Sequence, residues 1–344
     1  MTGRIRTSSA DAIRILIVKL GAIGDVLRTT AILPGLQKKH GRVEIDWLTA
    51  PASREVLERN SYLRRIFIWE ERASIGDYDI VIGLDDEMAA CEFVTQVKAK
   101  EKIGVFLEKD KINYTPSAWF DMSRVSRLGL EQANRLKKKN RQTYQQLMGE
   151  LLGIGVAPYI FNLSEDEINY GKAVIEKIGL PKGKSVVGIN TGAGGRWQLK
   201  SWGSKPTIEL IKRLRDEEGV YSLILGGEAE RERNAKLAAA TGMPEAGNHS
   251  LRQFASIINQ LPLVLSSDSL AMHLAIALRR RVIVFFGPTS AAEIELYGLG
   301  RKLQPQMDCL VCYKKKCDFS PNCMELLSVD SVLTALKEEL ATAR

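Results

Sequence analysis

The chain has 344 residues, 45% of them apolar and 26% charged, with a formal charge of +8. That length accommodates two compact units with separate cores, and the composition is that of an ordinary soluble globular protein, which excludes a disordered or fibrous chain. No run approaches the roughly 20 uninterrupted apolar residues that span a bilayer, and the start, MTGRIRTSSADAIR, lacks the apolar stretch of a secretory signal, so a cytoplasmic protein is expected.

The first strand-like run, Arg14 to Lys19, passes through Leu20-Gly21-Ala22-Ile23-Gly24-Asp25 into the helical pattern Val26 to Leu33. Two glycines permit a tight bend and leave room for a ligand, and ligands of α/β folds collect beyond the carboxyl ends of strands. Asp25 is therefore either a chemical group raised to the sheet edge or the N-cap of the helix after it, a position aspartate favours. Further strand-like runs at Val43 to Leu48, Arg65 to Trp69 and Asp79 to Leu84 alternate with helical ones near 25 to 39, 51 to 59 and 87 to 98. That is the rhythm of βαβ units on a parallel sheet. Asp85-Asp86-Glu87, directly before a helical pattern, reads as a cap with first-turn acids in preference to a metal-binding cluster.

After Lys102 to Phe106 the pattern loosens, and a long helix is expected near 131 to 152. Between Val97 and Gln145 there are 12 lysines and arginines against 5 acids, so nearly the whole positive excess lies in this block. Its centre, Arg135, Lys137, Lys138, Lys139 and Arg141, suits an anionic acceptor, an anionic membrane face or a nucleic acid, or else is a solvated helix face. At about 1 kcal/mol per group, such a patch supports peripheral contact and not anchoring. Glycines and prolines then crowd residues 153 to 184, and the domain boundary is placed there.

The alternation resumes with Ser185 to Asn190, Val220 to Leu225, Pro262 to Ser266 and Arg281 to Phe286. Each strand ends in a small or polar turn: Thr191-Gly192-Ala193-Gly194-Gly195, Gly226-Gly227-Glu228, Asp268-Ser269-Leu270-Ala271-Met272-His273 and Gly287-Pro288-Thr289-Ser290. Such turns beside helix N-termini form an edge suited to a diphosphate, with Lys200 placed to offset charge on a leaving group. Neither a Walker A motif nor GxGxxG stands at these turns, which counts against a P-loop NTPase and a standard dinucleotide site. Taken singly, Asp268 reads equally as an N-cap, His273 as a packed helix residue and Glu228 as a cap. The last feature is Cys309-x2-Cys312-x4-Cys317-x5-Cys323, a spacing more suggestive of zinc or an iron–sulfur cluster than of disulfides in a reducing compartment, though it matches no common zinc ribbon.

Together, VKLGAIGDVLRTTAILPGL, INTGAGGRWQLKSW, LILGGEAERE, SSDSLAMHLAIAL, VIVFFGPTSAAEIELYG and CLVCYKKKCDFSPNCM span most of the chain, which here resembles the glycosyltransferase family 9 heptosyltransferases of lipopolysaccharide synthesis. The resemblance implies an α/β GT-B fold, two Rossmann-like domains facing each other across a cleft. Residues 1–165 would form the acceptor domain and 166–325 the nucleotide-sugar domain, with 326–344 a helix packing back on the first. It implies an inverting transfer of heptose from ADP-heptose to a lipopolysaccharide inner-core acceptor bearing Kdo or heptose on lipid A, with Asp25 as base. Thr191, Gly192, Ala193, Lys200, Glu228, Asp268, Ser269, Leu270 and His273 match its donor-site positions, and His249 falls where an adenine-side residue is expected. The family usually has glycine where this chain has Leu270, a change that would strain the turn if positive φ were needed there.

No cofactor is required on this reading, a metal on Cys309, Cys312, Cys317 and Cys323 would be structural, the inner-membrane surface is a peripheral partner, and nucleic acid is not a partner. Two other readings are a nucleotide-sugar epimerase or dehydrogenase on a similar scaffold, which would hold NAD, and a nucleic-acid-binding module with a metal-bound cysteine tail. The second leaves the strand-end turns unexplained.

Overall fold

The computed structural model describes residues 12–181, 183–193 and 198–342; Gly194 and Gly195 of the glycine turn lie outside them. Strands β1 (Ile13–Val18), β2 (Val43–Thr49), β3 (Leu63–Ile68), β4 (Tyr78–Gly83), β5 (Ala99–Glu108) and β6 (Lys111–Tyr114) make one sheet, in the order β3-β2-β1-β4-β5-β6. Its pairings are parallel except for the hairpin of β5 with β6. Strands β7 (Val186–Asn190), β8 (Tyr221–Leu225), β9 (Leu263–Ser267), β10 (Arg281–Phe285) and β11 (Gly300–Leu303) make a second, all-parallel sheet ordered β11-β10-β9-β7-β8. Continuous apolar runs such as Ile15-Leu16-Ile17-Val18, wholly buried, suit strands covered on both faces.

In each sheet the strand order reverses beside the first strand: β1 lies between β2 and β4, and β7 between β8 and β9. The crevice at such a reversal, beyond the carboxyl ends of the strands, is where open α/β sheets take ligands. Asp25 and Asp85 follow β1 and β4, while Thr191 and Asp268 follow β7 and β9. The two crevices meet, because helix Ile23–Thr29 packs on helix Leu270–Ala277 and one apolar cluster joins Val26 and Leu27 to Ala271, Met272 and Leu274. Gly24 permits the approach: a β-carbon there would lie 2.4 Å from the His273 ring.

Three expectations are revised. The long helix near 131 to 152 is two helices, Leu130–Lys139 and Tyr144–Leu152, because Thr143 starts a new one: its hydroxyl accepts from Gln146 N at 3.3 Å while the Gln146 side chain accepts from Thr143 N at 2.8 Å. The stretch near 51 to 59 is a short 3-10 turn, Pro51–Val56. The final helix, Val329–Thr342, does not pack on the first domain. It lies on the second, against helix Ser204–Glu218 and strands β10 and β11. Its apolar stripe, Val332, Leu333, Leu336 and Leu340, joins that unit's core, and its buried Glu339 accepts from Arg281 Nε at 2.8 Å and Arg301 Nε at 2.9 Å. A carboxylate buried between two arginines of β10 and β11 ties the helix to that sheet.

Candidate active site

Asp25 is not a cap. The N-cap of helix Ile23–Thr29 is Ala22, which makes Asp25 the third residue of the first turn, and its carboxylate Oδ1 lies 2.9 Å from Arg28 Nη2. Arg28 is held in turn by aromatic faces, 4.1 Å from the centre of the Tyr144 ring and 5.5 Å from that of Trp119, contacts that favour a cation. Burial would raise the Asp25 carboxyl, but Arg28, then Lys19, His273 and Lys200, outweigh it and hold it below the usual carboxylate value. Because Lys200 belongs to the other domain, its influence on Asp25 spans the cleft.

Of the acids after β4, Asp85 and Asp86 are ion-paired and Glu87 holds the cap position. Asp85 Oδ1 accepts from Lys19 Nζ at 2.5 Å and its other oxygen from Leu20 N, so this carboxylate pins the turn that leads to Asp25. Burial would lower the Lys19 ammonium; Asp85 and then Asp25 outweigh it and raise it. Asp86 pairs with Arg124 at 2.7 Å, and Glu87 occupies the N-cap of helix Met88–Gln96 without a side-chain bond.

On the facing wall Lys200 Nζ donates to Asp268 Oδ2 at 2.8 Å and to its carbonyl oxygen at 3.1 Å. Desolvation opposes ionisation of Asp268, yet Lys200 dominates and its carboxyl stays below the usual value. Ser269, not Asp268, is the N-cap of helix Leu270–Ala277; its hydroxyl lies 2.9 Å from Ser266 Oγ and accepts from Asn190 Nδ2 at 3.2 Å. Leu270 is the first helical residue and is not among the positive-φ residues, so leucine strains nothing there. Thr191 Oγ1 donates to Asn234 Oδ1 at 2.5 Å, and Gly192 O accepts from Asn190 Nδ2 at 2.8 Å, which fixes the turn that continues to Ala193.

His273 is 5% exposed, its ring 5.9 Å from that of Tyr159 and pressed on Gly24. Among the described residues its Nδ1 and the Nε of Arg28 are buried without a hydrogen-bond partner; both sit where the two walls meet, and orphaned buried polar atoms call for an explanation that a bound ligand would supply. Burial pushes the His273 imidazole down to about 4 from an ordinary 6.5, so it is neutral near pH 7. As pH falls from about 6.5 toward 4 the unfolded chain takes up the proton first, and stability present above that window is progressively lost. Between about pH 7 and pH 4.5 wild type should lose roughly 2 to 3 kcal/mol more unfolding free energy than a His273→Gln variant. Denaturant titrations giving equal losses for the two proteins would contradict this.

Other sequence candidates fare unevenly. Glu228 is exposed, taking Asn248 Nδ2 at 3.0 Å and Arg231 at 3.5 Å. His249 has no nitrogen left for a base, since Nδ1 bonds Tyr170 OH at 2.9 Å and Nε2 meets Ala246 O at 2.6 Å. In the basic block, Arg135 pairs with Glu131 and Arg141 donates to the carbonyls of Lys138 and Asn140, at 3.1 and 2.8 Å, closing the helix end. Lys138 and Lys139 are exposed. Lys137 instead turns toward the second domain, 4.3 Å from the centre of the Tyr313 ring, so it is not a free surface cation.

The cysteines are free thiols. Burial pushes the Cys323 thiol up to about 11, with further contributions from Cys312, Cys317 and Cys309. Among the described residues no group of three or more histidine, cysteine or acidic side chains is arranged to hold a metal ion.

Sequence reasoning missed Arg28, Lys19, Tyr159 and Glu293, and read Asp85 as part of a helix cap. Arg28 carries a local signal, three residues after Asp25 on one helix face. Glu293 carries none: it is a buried acid in an irregular segment, raised by burial against the pull of Arg28 and Lys137, that accepts from Tyr313 OH at 3.2 Å.

Two parallel-sheet units apposed at their ligand edges, a carboxylate on one wall and a lysine beside a helix N-terminus on the other, define a glycosyltransferase of the GT-B type. The family model for glycosyltransferase family 9 (heptosyltransferase) matches residues 73–322, and the chain belongs to that family. It is similar to lipopolysaccharide heptosyltransferase 1 of Pseudomonas aeruginosa, 24% identical over 335 residues that cover 90% of this chain and 88% of the relative. Among solved structures, a family 9 glycosyl transferase from Veillonella parvula shares the fold at a TM-score of 0.76, with 18% identity over 96% of this chain and 98% of that one. The E. coli ADP-heptose lipopolysaccharide heptosyltransferase II shares it at 0.68, with 17% identity over 96% and 99%. Family membership sets aside the epimerase or dehydrogenase and nucleic-acid readings.

Proposed function

We propose that this protein moves a heptose from ADP-heptose to a lipopolysaccharide inner-core acceptor carrying Kdo or heptose, with inversion at the anomeric carbon. The observation that carries the reading is that the helix bearing Asp25, paired with Arg28, packs on helix Leu270–Ala277, at whose start Asp268 holds Lys200, so the two ion pairs stand on facing walls of one cleft. The names of the Pseudomonas relative and the E. coli structure support the sugar and the donor. In this reading the diphosphate lies at the N-terminus of helix Leu270–Ala277, over Ser269 and Leu270, with Lys200 beside it and Thr191, Gly192 and Ala193 on the flank. Glu228, exposed at the rim, meets the ribose hydroxyls. The acceptor oxygen bonds to the anomeric carbon as the bond to ADP breaks, and Asp25 takes the hydroxyl proton. Arg28 and Lys19 keep Asp25 ionised near neutral pH, so it is always ready to accept.

Lys200 and the helix amides neutralise the departing ADP, and the transfer needs no cofactor; a metal on the tail cysteines would staple that segment and take no part in transfer. Among the described residues no helix is long and apolar enough to cross a membrane. Arg135, Lys138 and Lys139 face solvent and would give peripheral contact with an anionic acceptor or the inner-membrane surface from the cytoplasmic side.

Thermal unfolding in the presence of ADP, UDP, GDP and CDP tests the donor assignment. ADP at about one hundred times its Kd should stabilise the protein by roughly 3 kcal/mol, with the other nucleotides well behind. Equal stabilisation by all of them, or none by ADP, would overturn it.

A further inference from the structure

We infer that Glu230, Arg233 and Asn234 form a positioning clasp that holds the donor-side turns in one arrangement and so sets the affinity for the nucleoside diphosphate. The inference rests on the reading of those turns as the donor site. The residues stand three and four apart at the start of helix Arg231–Thr241, the spacing that puts side chains on one helical face. Between them they reach the turns after β7 and β8 and the segment that carries Lys200. Asn234 takes the Thr191 hydroxyl at 2.5 Å and donates to Leu225 O at 3.3 Å, joining the turn after β7 to the end of β8. Glu230, 9% exposed, accepts from Gly227 N at 3.0 Å. Its carboxyl also fills the space beside Gly192, where a β-carbon would lie 2.7 Å from Glu230 Cδ.

Arg233 makes the third connection. Its Nη1 donates to Ser201 Oγ at 2.8 Å, the residue next to Lys200, and its Nη2 lies 3.7 Å from the Glu230 carboxylate. A small cavity lined by Asn190, Thr191, Ser201, Arg233 and Ser267 adjoins these contacts. Beyond the backbone bond from Thr191 N to Leu225 O at 3.2 Å, these turns are joined through side chains, and connecting segments without such ties are the mobile parts of a fold. A polar network out of water rigidifies its members, and donors already in place bind an anion without an ordering cost. None of the three side chains is assigned a contact with the reacting atoms, so their loss should weaken ADP binding and spare the transfer step.

The test is a double-mutant cycle on ADP affinity by calorimetry, using the full chain and the variants Arg233→Ala, Ser201→Ala and the pair, with kcat measured at saturating ADP-heptose. Ser201→Ala leaves no buried charge unpaired and keeps the test open even if Arg233→Ala folds poorly. Each single change should weaken ADP binding about 10-fold, the cost of ordering about one released side chain when the ligand binds. The double variant should be no weaker than the worse single by more than about twofold, the non-additivity of residues in direct contact, with kcat within about threefold of wild type. Wild-type affinity in both single variants, fully multiplicative losses, or a fall in kcat at unchanged affinity would overturn the clasp while leaving the donor site standing. A wild-type protein that does not bind ADP would overturn both together.

Discussion

Replacing Lys200 by alanine should lower kcat/KM for sugar transfer about 10²- to 10³-fold, the cost of deleting one preorganised group that stabilises developing charge. Its ammonium lies 2.8 Å from the Asp268 carboxylate, with side chains only 12% and 16% exposed, so the charge acts in a poorly screened place. Alanine also strands the Asp268 carboxylate, and breaking a buried pair from one side costs about 3 to 5 kcal/mol of stability. Lys200→Arg separates the two effects, because the charge and most of the stability remain. A planar guanidinium does not reproduce a point-like ammonium, and transfer should stay about 10-fold down. Steady-state rates beside thermal unfolding decide it. Near wild-type transfer by a folded Lys200→Ala protein would reduce Lys200 to a structural partner of Asp268.

Features generated by short-range pattern were legible in the chain. The two α/β units followed from strand and helix periods, their arrangement as a GT-B fold from the family resemblance, and Asp25 and Asp268 stood out because each stands just past a buried strand where a helix begins, which in both sheets is the point of strand-order reversal. The Leu270 question also has a local answer, since the first residue of helix Leu270–Ala277 needs no positive φ.

What escaped depends on long-range partners. Asp85 belongs to Lys19, 66 positions earlier, and nothing in the acidic run Asp85-Asp86-Glu87 distinguishes that ion pair from a helix cap. His249 looks available until Tyr170 and Ala246 occupy its nitrogens. Glu228 and Glu230 are indistinguishable as letters, yet one is a solvent-facing acid and the other a buried tie between turns. Lys137 belongs by sequence to a run of surface lysines and is drawn out of it by the Tyr313 ring on the other domain. The final helix has an apolar stripe that fits either sheet, and the choice is made by Arg281 and Arg301 around Glu339.

The assignment of a base in one domain to a sugar held by the other is tested most directly at Asp25. The Asp25→Asn side chain keeps the shape and a contact to Arg28 but cannot take a proton, so kcat for transfer should fall about 10²- to 10⁴-fold. ADP affinity should remain within about twofold, since Asp25 is paired with Arg28 while the donor-side Lys200 is paired with Asp268. Single-turnover transfer with bound ADP-heptose, run beside calorimetry with ADP, measures both on one preparation. Slow transfer with unchanged ADP binding is the predicted result; transfer within about tenfold of wild type, below the smallest contribution expected of a general base, would contradict it.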